Sequence, residues 1–250
     1  MSNEISLKFG SLTFSNTIVI SDIDIKDDLQ VSLTAIPNSC GSVAELAKRK
    51  YLTISVEGSV SGSDVDDLRA NIDTLKAALY NGLQKFTKDD DRYIYAQLKN
   101  FNKTYKSAQK LALFTATFIA HFPFWLSETE HEDDRTPTSG VGYTLNNAGN
   151  AKPRVKIEIT APAGGISDNI KIENTTNGQS FQYRGDLAVG EVLEVDNRYD
   201  TDDFEVLNDS TDDTVNFEGD FIELEPGNNT IVFTGTAGAT VKITHRDCWY

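Results

Sequence analysis

Cysteine is scarce in this chain of 250 residues, with Cys40 and Cys248 near opposite ends. Such a pair offers neither a disulfide framework nor a zinc site, which takes four closely spaced ligands. Two free thiols are expected. Histidine occurs three times, at His121, His131 and His245. His121 has no Ser, Cys or Asp close in sequence to act with it, so a packed or surface role is expected. Long apolar runs are missing too: the longest is about a dozen residues, against the roughly 20 that span a bilayer. The N-terminus alternates instead of showing a basic-then-apolar leader. A soluble protein made in the cytoplasm, with no membrane partner, is the expectation.

The motifs of phosphate and ester chemistry are absent as well. There is no G-x-x-x-x-G-K-[ST], no G-x-G-x-x-G and no G-x-S-x-G. His131-Glu132 begins an H-E-x-x-H without completing it. A glycosidase needs only two facing carboxylates, and nothing selects a pair among the 38 acids. No enzyme, no catalytic residue, no metal site and no cofactor site are expected.

Positive charge is in short supply. Lys and Arg number 23 against 38 Asp and Glu, for a net charge of −15. Tight nucleic-acid binding needs basic patches that displace counterions, so stable binding of DNA or RNA is not expected. The acidity suits a surface past which DNA slides, and equally a chain kept in solution by its charge. Acid runs at Asp89–Asp91, Asp200–Asp203 and Asp209–Asp213 have the character of hairpin tips. The last two could hold calcium only if they met in space, since calcium takes 6–8 oxygens.

What is present is strand alternation and one helical stripe. Ile5–Phe9 and Leu12–Ile20 alternate around a Gly10-Ser11 turn. Leu29–Ile36, Leu52–Val60 and Arg92–Phe101 are further strands. Asn102–Lys110 is a turn or loop, and the acidic Asp22–Asp28 is either a loop or a strand continued by Ile23 and Ile25. Val65, Leu68, Ile72, Leu75 and Leu79 fall on one face of a helix, with Ser63 as its cap and Gly82 as its stop. Leu111–Phe122 is apolar on both faces and should be a central strand. Its end, Pro123-Phe124-Trp125, opens a seam that closes at Pro153. Beyond the seam come strand candidates at 154–160, 170–174, 180–183, 192–196, 204–207, 214–217, 221–224, 230–235 and 240–245. Turn residues such as Asn177-Gly178 and Pro226-Gly227 separate them. Short strands at this spacing indicate an antiparallel sandwich. The expected organisation is a mixed domain at 1–128, a linker at 129–146 and an all-β domain at 147–250.

The motifs about the seam carry a family resemblance. Phe122-Pro123-Phe124-Trp125-Leu126-Ser127 is followed by Asn147-Ala148-Gly149-Asn150-Ala151-Lys152-Pro153 and the strand Val155–Ile159. Later come Leu224-Glu225-Pro226-Gly227-Asn228-Asn229 and the closing His245-Arg246-Asp247-Cys248-Trp249-Tyr250. In this order they resemble the distal tail proteins of siphophages, over nearly the whole chain. His121-Phe122 departs from the family, where an acidic residue more often precedes the Pro.

The resemblance implies a mainly β fold with one helix: a tail-tube-like β-sandwich with a helix, then a galectin-like β-sandwich. It implies a virion structural protein of the phage tail, assembled in the host cytoplasm. As a hexameric baseplate hub it would join the tail tube protein to the tail-associated fibre or lysin protein. Asp22–Asp28, Pro37–Lys50 and Asn102–Lys110 are then the candidate ring-contact loops. The alternative is a carbohydrate-binding module on a small carrier domain. Host carbohydrate would need exposed aromatics to stack on, for which Tyr183, Tyr199 and Trp249 are the candidates.

Overall fold

The structure is a computed structural model that describes residues 7–13, 17–30, 33–35, 42–44, 48–88, 91–106, 110–167, 170–198 and 204–250. The chain divides into two compact units, Met1–Trp125 and Leu126–Tyr250. No helix among the described residues is long and apolar enough to cross a membrane.

The first unit holds strands β1 (Leu7–Phe9), β2 (Leu12–Thr13), β3 (Ile18–Gln30), β4 (Leu33–Ala35), β5 (Ser42–Ala44) and β6 (Lys48–Ser61). Helix α1 (Val65–Leu79) follows, then β7 (Gln84–Lys88), β8 (Arg92–Lys106) and β9 (Leu111–Ala120). The main sheet is antiparallel in the order β2-β1-β7-β8-β9-β6-β3, and β4 pairs with β5 apart from it. It is strongly curled. Phe9 on β1 and Phe118 on β9 are three strands apart, roughly 14 Å in a flat sheet. Their ring centroids nevertheless lie 4.7 Å apart. The two halves of the sheet therefore face each other over one core that includes Phe86, Ile54, Val56 and Ile94.

Helix α1 lays Leu68, Ile72, Leu75 and Leu79 into that core, while Val65 stays half exposed at the first turn. Asp64, not Ser63, is the cap: its Oδ1 accepts from the amides of Asp66 and Asp67 at 3.0 and 2.8 Å. A carboxylate there also meets the positive end of the helix dipole.

Two expectations change and one is decided. Of the two readings of Asp22–Asp28 the strand holds, because Ile23 and Ile25 pair with Val56 and Ile54 of β6 while Asp22, Asp24 and Asp27 are exposed. The polar stretch after Phe101 stays in β8 as far as Lys106, held by its ladder to Leu111–Ala116. β9 is central between β8 and β6, yet it buries one face only: Ala112, Phe114, Ala116 and Phe118 are covered, and Leu113 is 44% exposed. β7, which pairs with Arg92–Ala96 of β8, had no clear alternation in sequence.

At the unit boundary lies β10 (Trp125–Ser127). The second unit continues with β11 (His131–Arg135), β12 (Gly142–Asn147), β13 (Val155–Thr160), β14 (Ile170–Asn174), β15 (Gln179–Tyr183) and β16 (Val192–Asp196). It is completed by β17 (Glu205–Asn208), β18 (Thr211–Asp212), β19 (Phe217–Gly219), β20 (Gly227–Thr234), β21 (Thr240–His245) and β22 (Cys248–Trp249). One sheet runs β11-β21-β13-β16-β17-β18 and the other β12-β20-β14-β15-β19. Their inward residues, among them Ile157, Ile159, Ile172, Phe181, Phe233 and Val241, share a single core. This is a β-sandwich.

The expected linker at 129–146 is instead structural, because β11 and β12 are edge strands of the two sheets. The His-Glu-Asp-Asp-Arg run of β11 looks like a linker since an edge strand keeps charges on its open side. The expected strands at 214–217 and 221–224 also change. The first is a 3₁₀ turn leading into β19. The second is an extended segment whose Glu223 bridges Arg154, with Ile222 and Leu224 buried.

Candidate functional site

Two features of the first unit bear on association. The first is the edge formed by β3, a strand of 13 residues at the end of the sheet. Asp22, Asp24 and Asp27 are exposed along it, Glu57 of β6 sits beside Asp22, and Lys26 is its exposed cation. Lys26 lies 2.6 Å from Asp24, and Arg49 3.0 Å from Asp27. The second is the far half of β8. β7 stops opposite Ala96, and β9 takes one side of β8 from Gln97 to Lys106. Lys99, Asn100, Asn102, Lys103, Thr104, Tyr105 and Lys106 are all exposed there. One sheet thus presents an acidic edge on β3 and an exposed basic stretch on β8.

The sequence held a signal for this segregation. From Arg92 to Ser127 the chain carries no Asp or Glu, while it carries Arg92, Lys99, Lys103, Lys106 and Lys110. In a chain of net −15 such a gap is a local reversal of charge.

In the second unit the loop after β12 and the C-terminal segment clasp one another. The amide of Ala151 donates to the Cys248 carbonyl at 2.9 Å. The amide of Tyr250 donates to Asn150 Oδ1, and that of Ala148 to Asp247 Oδ1. Asp247 Oδ2 accepts from His131 Nε2 at 3.0 Å, and the Arg246 guanidinium donates to the carbonyls of Ser127 and Glu128. Gly149 permits the contact, since a Cβ there would lie 2.0 Å from the Cys248 oxygen.

Buried asparagines hold the neighbouring turns. Asn147 donates to the carbonyls of Ala151 and Glu225. Asn229 accepts from the Glu225 amide, donates back to its carbonyl, and accepts from Asn174 Nδ2 at 3.0 Å. Asn229→Ala would leave buried backbone groups of the Pro226-Gly227 turn unpaired, at about 1–3 kcal/mol. A lower urea midpoint with an unchanged slope is the expected result, and a midpoint equal to wild type would refute this role for Asn229.

Among the described residues the remaining sequence candidates do not assemble into a site. His121 is exposed and meets Gln97 Nε2 at 2.8 Å. Asp91 is exposed beside the start of β8, while Asp89 and Asp90 lie outside the described residues. So do Asp200–Asp203, Tyr199 and Cys40. In the 209–213 run the carboxylates serve the chain itself. Asp212 accepts from the Thr214 hydroxyl at 2.7 Å and from its amide, which holds its carboxyl below the usual range. Asp213 accepts from the Tyr183 hydroxyl and from Asn216. Among the described residues no group of three His, Cys, Asp or Glu could hold a metal ion. Tyr183 is fully buried, and burial followed by its bond to Asp213 pushes its phenol up, so it cannot stack on a sugar. Trp249 is half-buried in β22, and Cys248 is buried.

Residues 148–249 match the model of the siphovirus-type tail component, C-terminal domain. No curated protein sequence matches the chain. In fold it is similar to the SPP1 Dit protein, described as a paradigm of the hub adsorption apparatus in phages that infect Gram-positive hosts. The TM-score is 0.74 at 13% identity, covering 97% of this chain and 98% of that one. It is also similar to a chain of the phage p2 baseplate in its activated conformation with Sr, with a TM-score of 0.52 at 8% identity. That match covers 96% of this chain and 97% of the other.

Proposed function

We propose that this chain is a phage tail component of the baseplate-hub kind, and that six copies of it close head-to-tail into a ring. The observation that carries the reading is one sheet with an acidic edge on β3 and an exposed basic stretch on the far half of β8. An open edge offers unpaired backbone groups to another chain, and opposite charges on the edge and the stretch favour heterologous over isologous contact. Heterologous contacts close into rings when the rotation fits. The protein acts as a structural part of the virion and performs no catalysis. Its ring joins the tail tube to the tail-associated fibre or lysin protein, and DNA passes through. Net negative charge keeps the ring from retaining that DNA. The sandwich of the second unit, galectin-like in this reading, decorates the ring.

Charge swaps test the closure. Asp22→Lys with Asp24→Lys makes both surfaces basic, and Lys99→Glu with Lys106→Glu makes both acidic. Like charges facing each other across an interface cost several kcal/mol. Each double variant should therefore run as a monomer in solution-mass measurements where the wild type runs as a ring. An equimolar mixture should recover rings of alternating composition, which an even number of copies accommodates. Rings formed by either variant alone would remove these surfaces from the interface.

A further inference from the structure

The clasp of the second unit contains a pair of imidazoles that the hub reading does not use. His131 on β11 and His245 on β21 face each other directly in the antiparallel ladder, with ring centroids 5.3 Å apart and nearly parallel. Their environments differ. His131 is 46% exposed at its side chain and donates from Nε2 to the buried Asp247 carboxylate. His245 is 3% exposed, and its Nε2 lies 3.2 Å from the carbonyl oxygen of Asn146. A carbonyl only accepts, so that nitrogen carries the proton. Nδ1 is then the bare nitrogen of a neutral ring, and it is sealed from water with no hydrogen-bond partner among the described residues.

A second proton on His245 would go to Nδ1, where nothing accepts it. The groups around the ring do not change this. On β11 stand His131 and Asp133. On β13 the facing residue is Val155, which is apolar. From its own segment Asp247 Oδ1 stands 4.0 Å from Nε2, on the nitrogen already protonated. Arg246 is turned toward Ser127, Glu128 and Glu130. Burial, the largest influence, and the neighbouring imidazole hold His245 below its ordinary value.

We propose that His245 makes the docking of the C-terminal segment on the 146–151 loop an acid-released latch. Opening the segment exposes Nδ1 to water, so the opened state takes the proton before the closed one does. A group depressed in the closed state costs nothing while both states are neutral. Closure is therefore complete above about 6.5, the ordinary histidine value, and is progressively lost as pH falls below it. The amides of Ala148, Ala151 and Tyr250 report the latch, since each is bonded across it.

Hydrogen exchange on the full-length protein between pH 7.5 and 5.0, corrected for intrinsic rates, measures the opening constant at those amides. It should rise by up to about ten-fold per pH unit below 6.5, the slope of one proton. In His245→Gln, whose side-chain amide can still donate to Asn146, the constant should stay flat with pH. A flat wild type, or an equal slope in His245→Gln, overturns the latch. If that variant fails to fold, the wild-type imidazole resonances decide. His245 is assigned by comparison with His131→Gln and His121→Gln. A His245 midpoint below 6.5 supports the latch, and one at or above it overturns it.

Discussion

Gly149→Ala should unfasten the C-terminal segment and destabilise the second unit by about 3 kcal/mol or more, at the severe end for a single substitution. An added Cβ would stand 2.0 Å from the carbonyl oxygen of Cys248, 2.6 Å from its nitrogen and 2.7 Å from its carbonyl carbon. All three are backbone atoms, so no side chain can swing away. One of the two segments must retreat, and with it go the Ala151, Ala148 and Tyr250 amide bonds and the His131–Asp247 contact. Gly164 is the control, because an added Cβ there meets nothing within 4 Å. Gly164→Ala should fall within about 0.5 kcal/mol of wild type. The chain has two tryptophans, Trp125 and Trp249, one in each unit. In a Trp125→Phe background, urea unfolding followed by Trp249 fluorescence reads the second unit alone. If Gly149→Ala melts with Gly164→Ala, the close approach does not matter to stability.

The sequence displayed the clasp's parts without their contact. Asn147–Pro153 and His245–Tyr250 each stand out as a run, but about a hundred residues separate them, and neither run names its partner. Periodicity reports one segment's exposure to a core and says nothing of which segments meet. It therefore located α1 from Leu68, Ile72, Leu75 and Leu79, and found β13, β14 and β16, whose inward residues alternate cleanly.

Periodicity failed where one face of a strand stays open. β11, written His-Glu-Asp-Asp-Arg, and the outer half of β8 carry too few apolar residues to alternate, and their ladders come from neighbours that do. The same blindness hid the acidic edge. Asp22, Asp24 and Asp27 on β3 fit a loop as well as a strand, and only the pairing of Ile23 and Ile25 with Val56 and Ile54 decides for the strand. The acid-free stretch after Arg92 was legible all along, because segregation of charge needs no knowledge of the fold.

Phe118→Ala should cost the first unit about 3–5 kcal/mol, the usual range for deleting a buried aromatic. Phe118 is 1% exposed on β9, where it pairs with Ile54 of β6 and Leu98 of β8. Its ring meets Phe9 at 4.7 Å and Phe86 at 5.7 Å, so it joins the two halves of the curled sheet from inside. Total stabilities run to about 5–15 kcal/mol, and the loss is a large fraction of any such value. Trp125 is placed to report it, because its ring stands 6.5 Å from Phe86 in an edge-on contact. In a Trp249→Phe background the urea midpoint seen by Trp125 should fall steeply, with Phe118→Leu falling less because more of the volume is kept. The charged residues of the acidic edge and the basic stretch lie outside this core, so the same substitution separates fold from association. A Phe118→Ala protein that stayed within 1 kcal/mol of wild type would mean that β1 and β9 do not pack face to face. The curled sheet, and the ring element built on it, would then be wrong.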